Sequence, residues 1–246
     1  MTMFGQDKTI AGLRARMRAG DPDKCLVMLH GIGSNSSSFD RLAAQMPDDI
    51  TLIAWNAPGY PGSAALPSLH PVAADYAQRL LDLATALTLP RFTLLGHSLG
   101  TLIATEFAAL YPQQVNSLIL LACAQGYGIK PGTPLPDKAA KRLDDLATLG
   151  PQTFAQTRAP NLMHAPDSQP DVKAEAIKTM ASITPDGYAQ AVHMLATGTL
   201  LLRAADVATP SLVLVGAKDR ITPPTQSLAT HQALQQNSPN LPHIFA

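Results

Sequence analysis

The chain has 246 residues, a length that an α/β fold reaches as a single domain. Hydrophobic residues make up 46% of it, which is enough to form a large core. Its 18 Lys and Arg residues balance 18 Asp and Glu residues, so the net charge of zero argues against strongly charged partners such as nucleic acid or an anionic membrane.

The first third of the chain alternates short apolar runs with one helical pattern. Residues 25–29 and 51–55 are apolar runs bounded by turn residues, which is typical of buried strands. A loop rich in Gly and Pro follows at residues 56–62, and apolar residues then recur at helical spacing over residues 72–87. This alternation predicts a mostly parallel sheet covered by helices.

The middle of the chain continues the same pattern. Residues 91–95 predict a strand, residues 99–110 a helix that Pro112 ends, and residues 117–123 a further strand. The last part predicts a strand at residues 211–215, a helix at 225–236 and the beginning of one more strand at 240–246.

The pattern changes between residues 125 and 208, where prolines break up the helical segments. These prolines are Pro131, Pro134, Pro136, Pro151, Pro160, Pro166, Pro170 and Pro185. Breakers at this density exclude one long helix and favour several short ones. We expect residues 125–208 to form a helical cap over an active site, on a core made of residues 1–124 and 209–246.

Residues 96–100, Gly-His-Ser-Leu-Gly, match the G-x-S-x-G pattern of a nucleophile elbow. The motif lies between a predicted strand and a predicted helix, which is the context that the elbow needs to lift a serine hydroxyl out of the sheet edge. Gly96 and Gly100 allow a sharp turn and let the helix pack close to the strand. The sequence therefore predicts Ser98 as a nucleophile.

Four segments in chain order resemble landmarks of the α/β-hydrolase fold. They are residues 29–33 (Leu-His-Gly-Ile-Gly), 54–60 (Ala-Trp-Asn-Ala-Pro-Gly-Tyr), 95–100 and 215–224 (Val-Gly-Ala-Lys-Asp-Arg-Ile-Thr-Pro-Pro). Residues 184–189 are similar to the caps of the 3-oxoadipate enol-lactonase branch and related carboxylic-ester hydrolases. The resemblance implies a mostly parallel, doubly wound α/β sheet of this type, with the helical cap inserted after the strand that follows the elbow.

An acyl-transfer serine also needs donors for the oxyanion that forms when its hydroxyl attacks a carbonyl. The backbone N–H of Leu99, directly after the nucleophile, and that of Ile32 in the loop after an early strand are the expected donors. His30 follows that strand, and we expect it to hold the loop rather than to move protons.

The acid of a triad follows the nucleophile in this fold, and Asp219 lies in a turn just past the predicted strand 211–215. Asp206 reads as a surface charge. The base should come after Asp219, where the sequence has His231, in a predicted helix, and His243, at the beginning of a strand.

Members of the family that the chain resembles carry this histidine in the loop after that last strand, which leaves three interpretations. The sequence is a piece of a longer protein that carries the histidine, a rearranged tail brings His243 to Ser98, or the protein binds ligands without turnover.

We expect a serine hydrolase that acts on a small carboxylic ester or lactone through an acyl-serine intermediate, with no cofactor and no metal. The alternatives are hydrolysis of a carbon–carbon bond in a ring-fission product and a non-catalytic ligand-binding protein on this fold. The expected partner is a small-molecule substrate, with neither nucleic acid nor membrane, and the oligomeric state stays open. Because no secretory signal is recognisable and Cys25 and Cys123 lie in apolar runs, we expect a cytoplasmic protein.

Overall fold

The computed structural model of the protein describes residues 4–246, except for the side chain of Asn237. Within these residues one eight-stranded sheet runs through the molecule. Its strands are β1 (Gln6–Ile10), β2 (Leu13–Arg18), β3 (Asp21–Leu29), β4 (Ile50–Trp55), β5 (Phe92–His97), β6 (Val115–Leu121), β7 (Ser211–Leu214) and β8 (His243–Phe245). Its helices are α1 (Asp40–Ala43), α2 (Ala73–Ala86), α3 (Leu99–Leu110), α4 (Asp137–Arg158), α5 (Pro170–Ala181), α6 (Pro185–Thr197), α7 (Leu200–Ala204) and α8 (Pro224–Asn237).

The strands lie in the order β1-β2-β4-β3-β5-β6-β7-β8, and every pair from β4 to β8 is parallel. The register pairs His97 at the end of β5 with Leu121 of β6, and Leu121 with Leu214 of β7. The carboxyl ends of these strands therefore form one edge of the sheet, where α/β folds place their ligands. The predicted fold class, a mostly parallel doubly wound sheet, is confirmed.

Side chains of the central strands alternate between two apolar layers. Val27 and Leu29 of β3 pack in the larger core with α2 and α3, whereas Leu26 and Met28 face a smaller core on the other side with Phe39. A strand buried on both faces reads as a continuous apolar run, which is why the sequence showed β3 to β6 so clearly.

The hairpin β1–β2 is the one part of the sheet that the sequence analysis did not identify. Ala11 and Gly12 connect its strands, and both have positive φ, +49° and +75°. Two such residues are typical of a tight two-residue hairpin turn. The pair β1–β2 and the pair β2–β4 are both antiparallel, so the hairpin adds an antiparallel edge to the parallel sheet.

Residues 125–208, here called the helical insertion, hold α4 to α7. Helix α4 is interrupted at Gly150, whose φ of +68° is not helical, immediately before Pro151. The insertion contacts loops that leave the carboxyl ends of β3 and β4. Within residues 4–246 no helix is long and apolar enough to cross a membrane.

Helix α6 lies directly against the loop after β4. Thr184 caps α6 by accepting a hydrogen bond from the Gly187 N–H at 3.1 Å, and its hydroxyl donates to the Gly59 carbonyl at 2.6 Å. A Cβ on Gly187 would overlap that Gly59 carbonyl oxygen. Two glycines therefore let the insertion and the core touch backbone to backbone.

Gln190, one turn further along α6, is buried and bridges the same two parts of the molecule. Its side-chain oxygen accepts from the Leu66 N–H, and its NH₂ group donates to the carbonyls of Leu66 and Ser68 at 2.7 Å each. Close by, the rings of His70 and His193 meet edge to face with centroids 4.2 Å apart.

We expect Gly187→Ala to lower the free energy of unfolding by roughly 1–3 kcal/mol, because the new methyl group forces the Gly59 backbone away. In a helix, Gly→Ala otherwise stabilises by roughly 0.5–1 kcal/mol, so the sign itself is informative. Urea unfolding measures the change. The matched control is Gly5→Ala, at an exposed position with no atom within 4 Å of the added Cβ, and it should stay near neutral. Stabilisation by Gly187→Ala would contradict the contact.

Candidate active site

Ser98 lies between β5 and α3 with backbone angles φ 51° and ψ −114°. A serine rarely adopts this region, and the surrounding structure must stabilise it. A Cβ on Gly96 would overlap the Gly100 carbonyl oxygen, and a Cβ on Gly100 would overlap the Leu29 carbonyl oxygen. The tight turn after β5 therefore depends on both glycines and presents a half-buried Ser98 at the carboxyl edge of the sheet.

The loop after β3 passes beside Ser98. A Cβ on Gly31 would lie 3.0 Å from the Ser98 Cβ, and Ile32 is the next residue of the same loop. Within the described residues neither the Ile32 nor the Leu99 N–H donates a recorded hydrogen bond, whereas the Gly33 N–H donates to the Tyr60 hydroxyl at 3.1 Å. These two amides beside the serine are therefore not engaged by other groups of the described residues.

His30 connects this loop to the loop after β4. It is buried, its Nε2 accepts from the Ala57 N–H at 3.0 Å, and its Nδ1 lies 2.9 Å from the Gly31 carbonyl. Nδ1 therefore carries the proton and donates it. Burial lowers the pKa of His30 to about 4, although the bond to Gly31 opposes the shift. The imidazole is neutral at pH 7 and links two loops.

Tyr60 is a buried positioning residue that sequence reasoning missed. Its ring stands edge-on to His30 at 4.7 Å, and its hydroxyl accepts the Gly33 N–H. Burial raises the pKa of Tyr60, which keeps the phenol neutral. Its place in the segment 54–60 was visible in the sequence, but its contact with Gly33 depends on the folded chain.

Asp219 lies after β7 in a tight turn whose N–H and hydroxyl groups donate hydrogen bonds to its carboxylate. Oδ1 accepts the N–H groups of Ile221 at 2.8 Å and Thr222 at 2.9 Å, and Oδ2 accepts the Thr222 hydroxyl at 2.9 Å. Burial lowers the pKa of His97, next to Ser98, and the charge of Asp219 opposes that shift. The register aligns the end of β7 with the end of β5, so the turn with Asp219, which follows β7, lies at the edge of the sheet where Ser98 lies.

His243 lies at the other end of the sheet. It pairs with Ser211 at the beginning of β7, and its Nδ1 is 2.6 Å from the Ser211 hydroxyl while Nε2 is 3.0 Å from the Ser238 carbonyl. Ser211 and Leu118 share a level of the sheet, and Leu118 pairs with Leu94, four residues before Ser98. Four residues of strand span about 13 Å, so the structure does not bring His243 to Ser98.

His231 lies on α8, as the sequence analysis expected, and packs against the last strand rather than the elbow. Its ring faces Phe245 with centroids 5.7 Å apart, and its buried Nδ1 has no hydrogen-bond partner among residues 4–246. Burial first and His243 second lower the pKa of His231.

The described residues contain no group of three or more His, Cys, Asp or Glu side chains suited to hold a metal ion. The two cysteines, Cys25 and Cys123, are buried and unpaired, and burial raises the pKa of each thiol to about 11.

Comparison with known proteins places the chain in a family. The sequence model of the serine aminopeptidase S33 hydrolases matches residues 20–243. The chain belongs to this family and, with it, to the α/β-hydrolase superfamily.

Individual relatives differ in how much they share with the chain. An uncharacterized protein of Mycobacterium tuberculosis is 34% identical over 117 residues, which are 48% of this chain and 34%, about a third, of that relative's length. The pimeloyl-(acyl-carrier protein) methyl ester esterase of Chromobacterium violaceum is 31% identical over 202 residues, 80% of this chain and 77% of the esterase. The enol-lactonase of Burkholderia xenovorans LB400 has a TM-score of 0.82 at 19% identity, covering 98% of this chain and 91% of its own, and so shares the fold.

We expect His30→Gln to flatten the acid dependence of stability. The unfolded chain protonates this imidazole near pH 6.5, but the folded protein keeps it neutral down to about pH 4. The stability that His30 contributes is complete above pH 6.5 and is lost as the pH falls toward 4, by about 2–3 kcal/mol.

Urea unfolding at pH 7.0 and 4.5 measures this loss. His30→Gln should lose less stability between the two pH values than the wild type does. His164→Gln, at an exposed histidine, is the matched control and should follow the wild type. The same loss in His30→Gln and wild type would contradict the assignment.

Proposed function

We propose that the protein is a serine hydrolase that acts on a small carboxylic ester or lactone through an acyl-serine intermediate. The observation that carries the proposal is the strained backbone of Ser98 beside two amides, of Ile32 and Leu99, that donate no hydrogen bond to any group within residues 4–246. Strain at one residue, held by two glycines, is typical of a functional serine rather than of an ordinary turn.

In the proposed reaction the Ser98 hydroxyl oxygen forms a bond to the carbonyl carbon of the substrate and gives its proton to a base. The carbonyl oxygen becomes an oxyanion, which accepts the N–H groups of Ile32 and Leu99. The carbon–oxygen bond to the leaving alcohol then breaks, and the alcohol takes up the proton. Water then attacks the carbonyl carbon of the acyl-serine in the same way, and the acid and the free serine are released.

Asp219 has the role of the acid that orients the base. Its Oδ1 is used by two backbone amides, and Oδ2 by one hydroxyl, so Oδ2 retains a lone pair for an imidazole N–H. A carboxylate fixed in this way can orient the imidazole of a histidine base, a role that neither His231 nor His243 has in the positions described above. His243 is not part of the proposal, because Ser211 and Ser238 hold its ring.

Two relatives support the substrate class. The Chromobacterium violaceum relative is named for the hydrolysis of a methyl ester, and the match extends over most of both chains. An enol-lactonase shares the fold. A lactone is a cyclic ester, so the same attack by serine serves both substrates.

The helical insertion has the role of a cap in this proposal. Met180 at the end of α5 and Tyr188 in α6 pack against Gly33, two residues past Gly31 and next to Ile32. Side chains of the insertion thereby cover the turn that supplies the oxyanion amide. A mostly apolar cover of this kind excludes water and favours an uncharged ester group.

Ser98→Ala should abolish covalent labelling by a fluorophosphonate, because only an activated serine attacks the phosphorus. Intact-mass spectrometry of the full-length protein measures the labelled fraction. Ser168→Ala, at an exposed serine of the insertion, is the control and should label as the wild type does. Equal labelling of wild type and Ser98→Ala would exclude Ser98 as the nucleophile.

Asp219→Asn should lower kcat for a small ester by roughly 10³–10⁴-fold, since the amide does not hold the base in its working tautomer. Steady-state kinetics of the full-length protein test this.

Two variants serve as controls for Asp219→Asn. Asp206→Asn removes a surface carboxylate paired with Arg203, and His243→Ala removes the ring held by Ser211 and Ser238. Both should keep kcat within about threefold. A loss from His243→Ala as large as that from Asp219→Asn would make His243 the base.

A further inference from the structure

Thr101 lies in the first turn of α3, three residues after Ser98, and its side chain is buried. Its hydroxyl donates a hydrogen bond to the Ser98 carbonyl at 2.6 Å, and its backbone N–H donates to the same oxygen at 2.9 Å. On the other side of the residue, the Ser98 N–H donates to the Leu121 carbonyl at 2.9 Å. Both backbone polar groups of the proposed nucleophile are therefore held.

The Thr101 hydroxyl also binds the loop that leads from β6 into the insertion. It accepts the Ala124 N–H at 3.2 Å, and because that amide can only donate, the hydroxyl proton is left for the Ser98 carbonyl. The amide one residue earlier, of Cys123, donates to the Ser227 hydroxyl on α8 at 3.2 Å. Neighbours on two sides thus fix the loop and, through Ala124, the direction in which the Thr101 hydroxyl donates.

The Ser98 carbonyl and the Leu99 N–H belong to one peptide unit. This unit is planar and trans, so the two groups point in opposite directions and turn together. Its orientation follows from the ψ of Ser98, −114°, which with a φ of 51° is a combination that a serine rarely adopts. A peptide plane in such an orientation persists only where other groups hold it.

We infer that Thr101 is a positioning residue, whose hydroxyl directs the Leu99 N–H toward the oxyanion by holding the Ser98 carbonyl on the opposite side of the same peptide. The inference rests on the proposed function and adds to it the residue that aims one of the two oxyanion donors. Such donors are effective because they are oriented before the charge develops. Thr101 itself does not touch the substrate.

Thr105 offers a matched comparison on the same helix. It lies one turn further along α3 and is equally buried, but its hydroxyl has no hydrogen-bond partner among residues 4–246. Valine keeps the branched shape of threonine and lacks the hydroxyl. The Thr→Val change at the two positions therefore separates the loss of the bond to Ser98 from the loss of a buried hydroxyl in α3.

Steady-state hydrolysis of p-nitrophenyl butyrate by the full-length protein tests the inference. Thr101→Val should lower kcat roughly 10- to 100-fold with KM within about threefold, because a misdirected oxyanion donor affects the transition state more than the bound ester. Thr101→Ser, which keeps the hydroxyl, should retain kcat within about threefold, and so should Thr105→Val. Rates are taken per folded molecule, with the folded fraction from urea unfolding.

Thr101→Ala is the second variant without the hydroxyl, and it should show the same loss of kcat as Thr101→Val. An unchanged kcat in both variants would overturn the inference. Equal losses in Thr101→Val and Thr101→Ser, or in Thr101→Val and Thr105→Val, would overturn it as well, because the effect would then not come from the hydroxyl that binds Ser98.

Crystal structures of the wild type, Thr101→Val and Thr101→Ser test the role without any turnover. The Ser98–Leu99 peptide should be rotated in Thr101→Val and keep its orientation in Thr101→Ser. A rotated peptide in Thr101→Val, together with a wild type that hydrolyses no ester and takes no fluorophosphonate label, would refute the proposed reaction and support the role of Thr101. An active wild type with the same peptide orientation and the same kcat in Thr101→Val would do the reverse.

Discussion

The backbone contacts of Gly96 and Gly100 determine the geometry of everything around Ser98. Helix α3 begins so close to β5 and β3 that a single Cβ at either glycine would overlap a carbonyl oxygen. This approach forces the chain through a positive φ at Ser98. The Leu99 N–H lies directly after it in the first turn of α3, where no N–H has an intrahelical acceptor. The position and the strain of Ser98 therefore have one physical origin, and the free amide follows from the start of the helix there. The neighbouring strands only have to end at the same level for the other groups to gather there.

Much of the fold was predictable because the central strands are buried on both faces. The predicted strands at residues 25–29 and 51–55 lie within β3 and β4 for this reason. The apolar pattern predicted the wrong strand end where a residue is buried but does not have the backbone conformation of a strand. Residues 118–123 are apolar throughout, but the strand ends at Leu121 because Ala122 has a φ of +54°. The hairpin β1–β2 escaped notice because β1 is almost wholly exposed and its turn lacks the usual Asn-Gly or Asp-Gly pair.

The site was predictable where it depends on local sequence and not where it depends on distant contacts. A glycine-flanked serine between strand and helix is a local pattern, and so is an aspartate whose oxygens accept amides two and three residues ahead. The hydrogen bond that Tyr60 accepts from the Gly33 N–H is a property of the folded chain, and residue spacing alone does not predict it. The expected placement of His243 as a candidate base depended on the route of the last strand, which the ladder with β7 fixes.

The contact between Gly59 and Gly187 has a mechanical consequence for the insertion. Two backbones in direct contact, reinforced by Thr184 and Gln190, fix the beginning of α6 on the loop after β4. Helix α5 contacts the core through Met180 beside Gly33 and through the exposed ion pair of Arg41 and Glu175, a type of interaction worth no more than about 1 kcal/mol. The contact at Gly187 leaves no space for a side chain, so this position tolerates only glycine, whereas the ion pair on α5 can be lost at little cost.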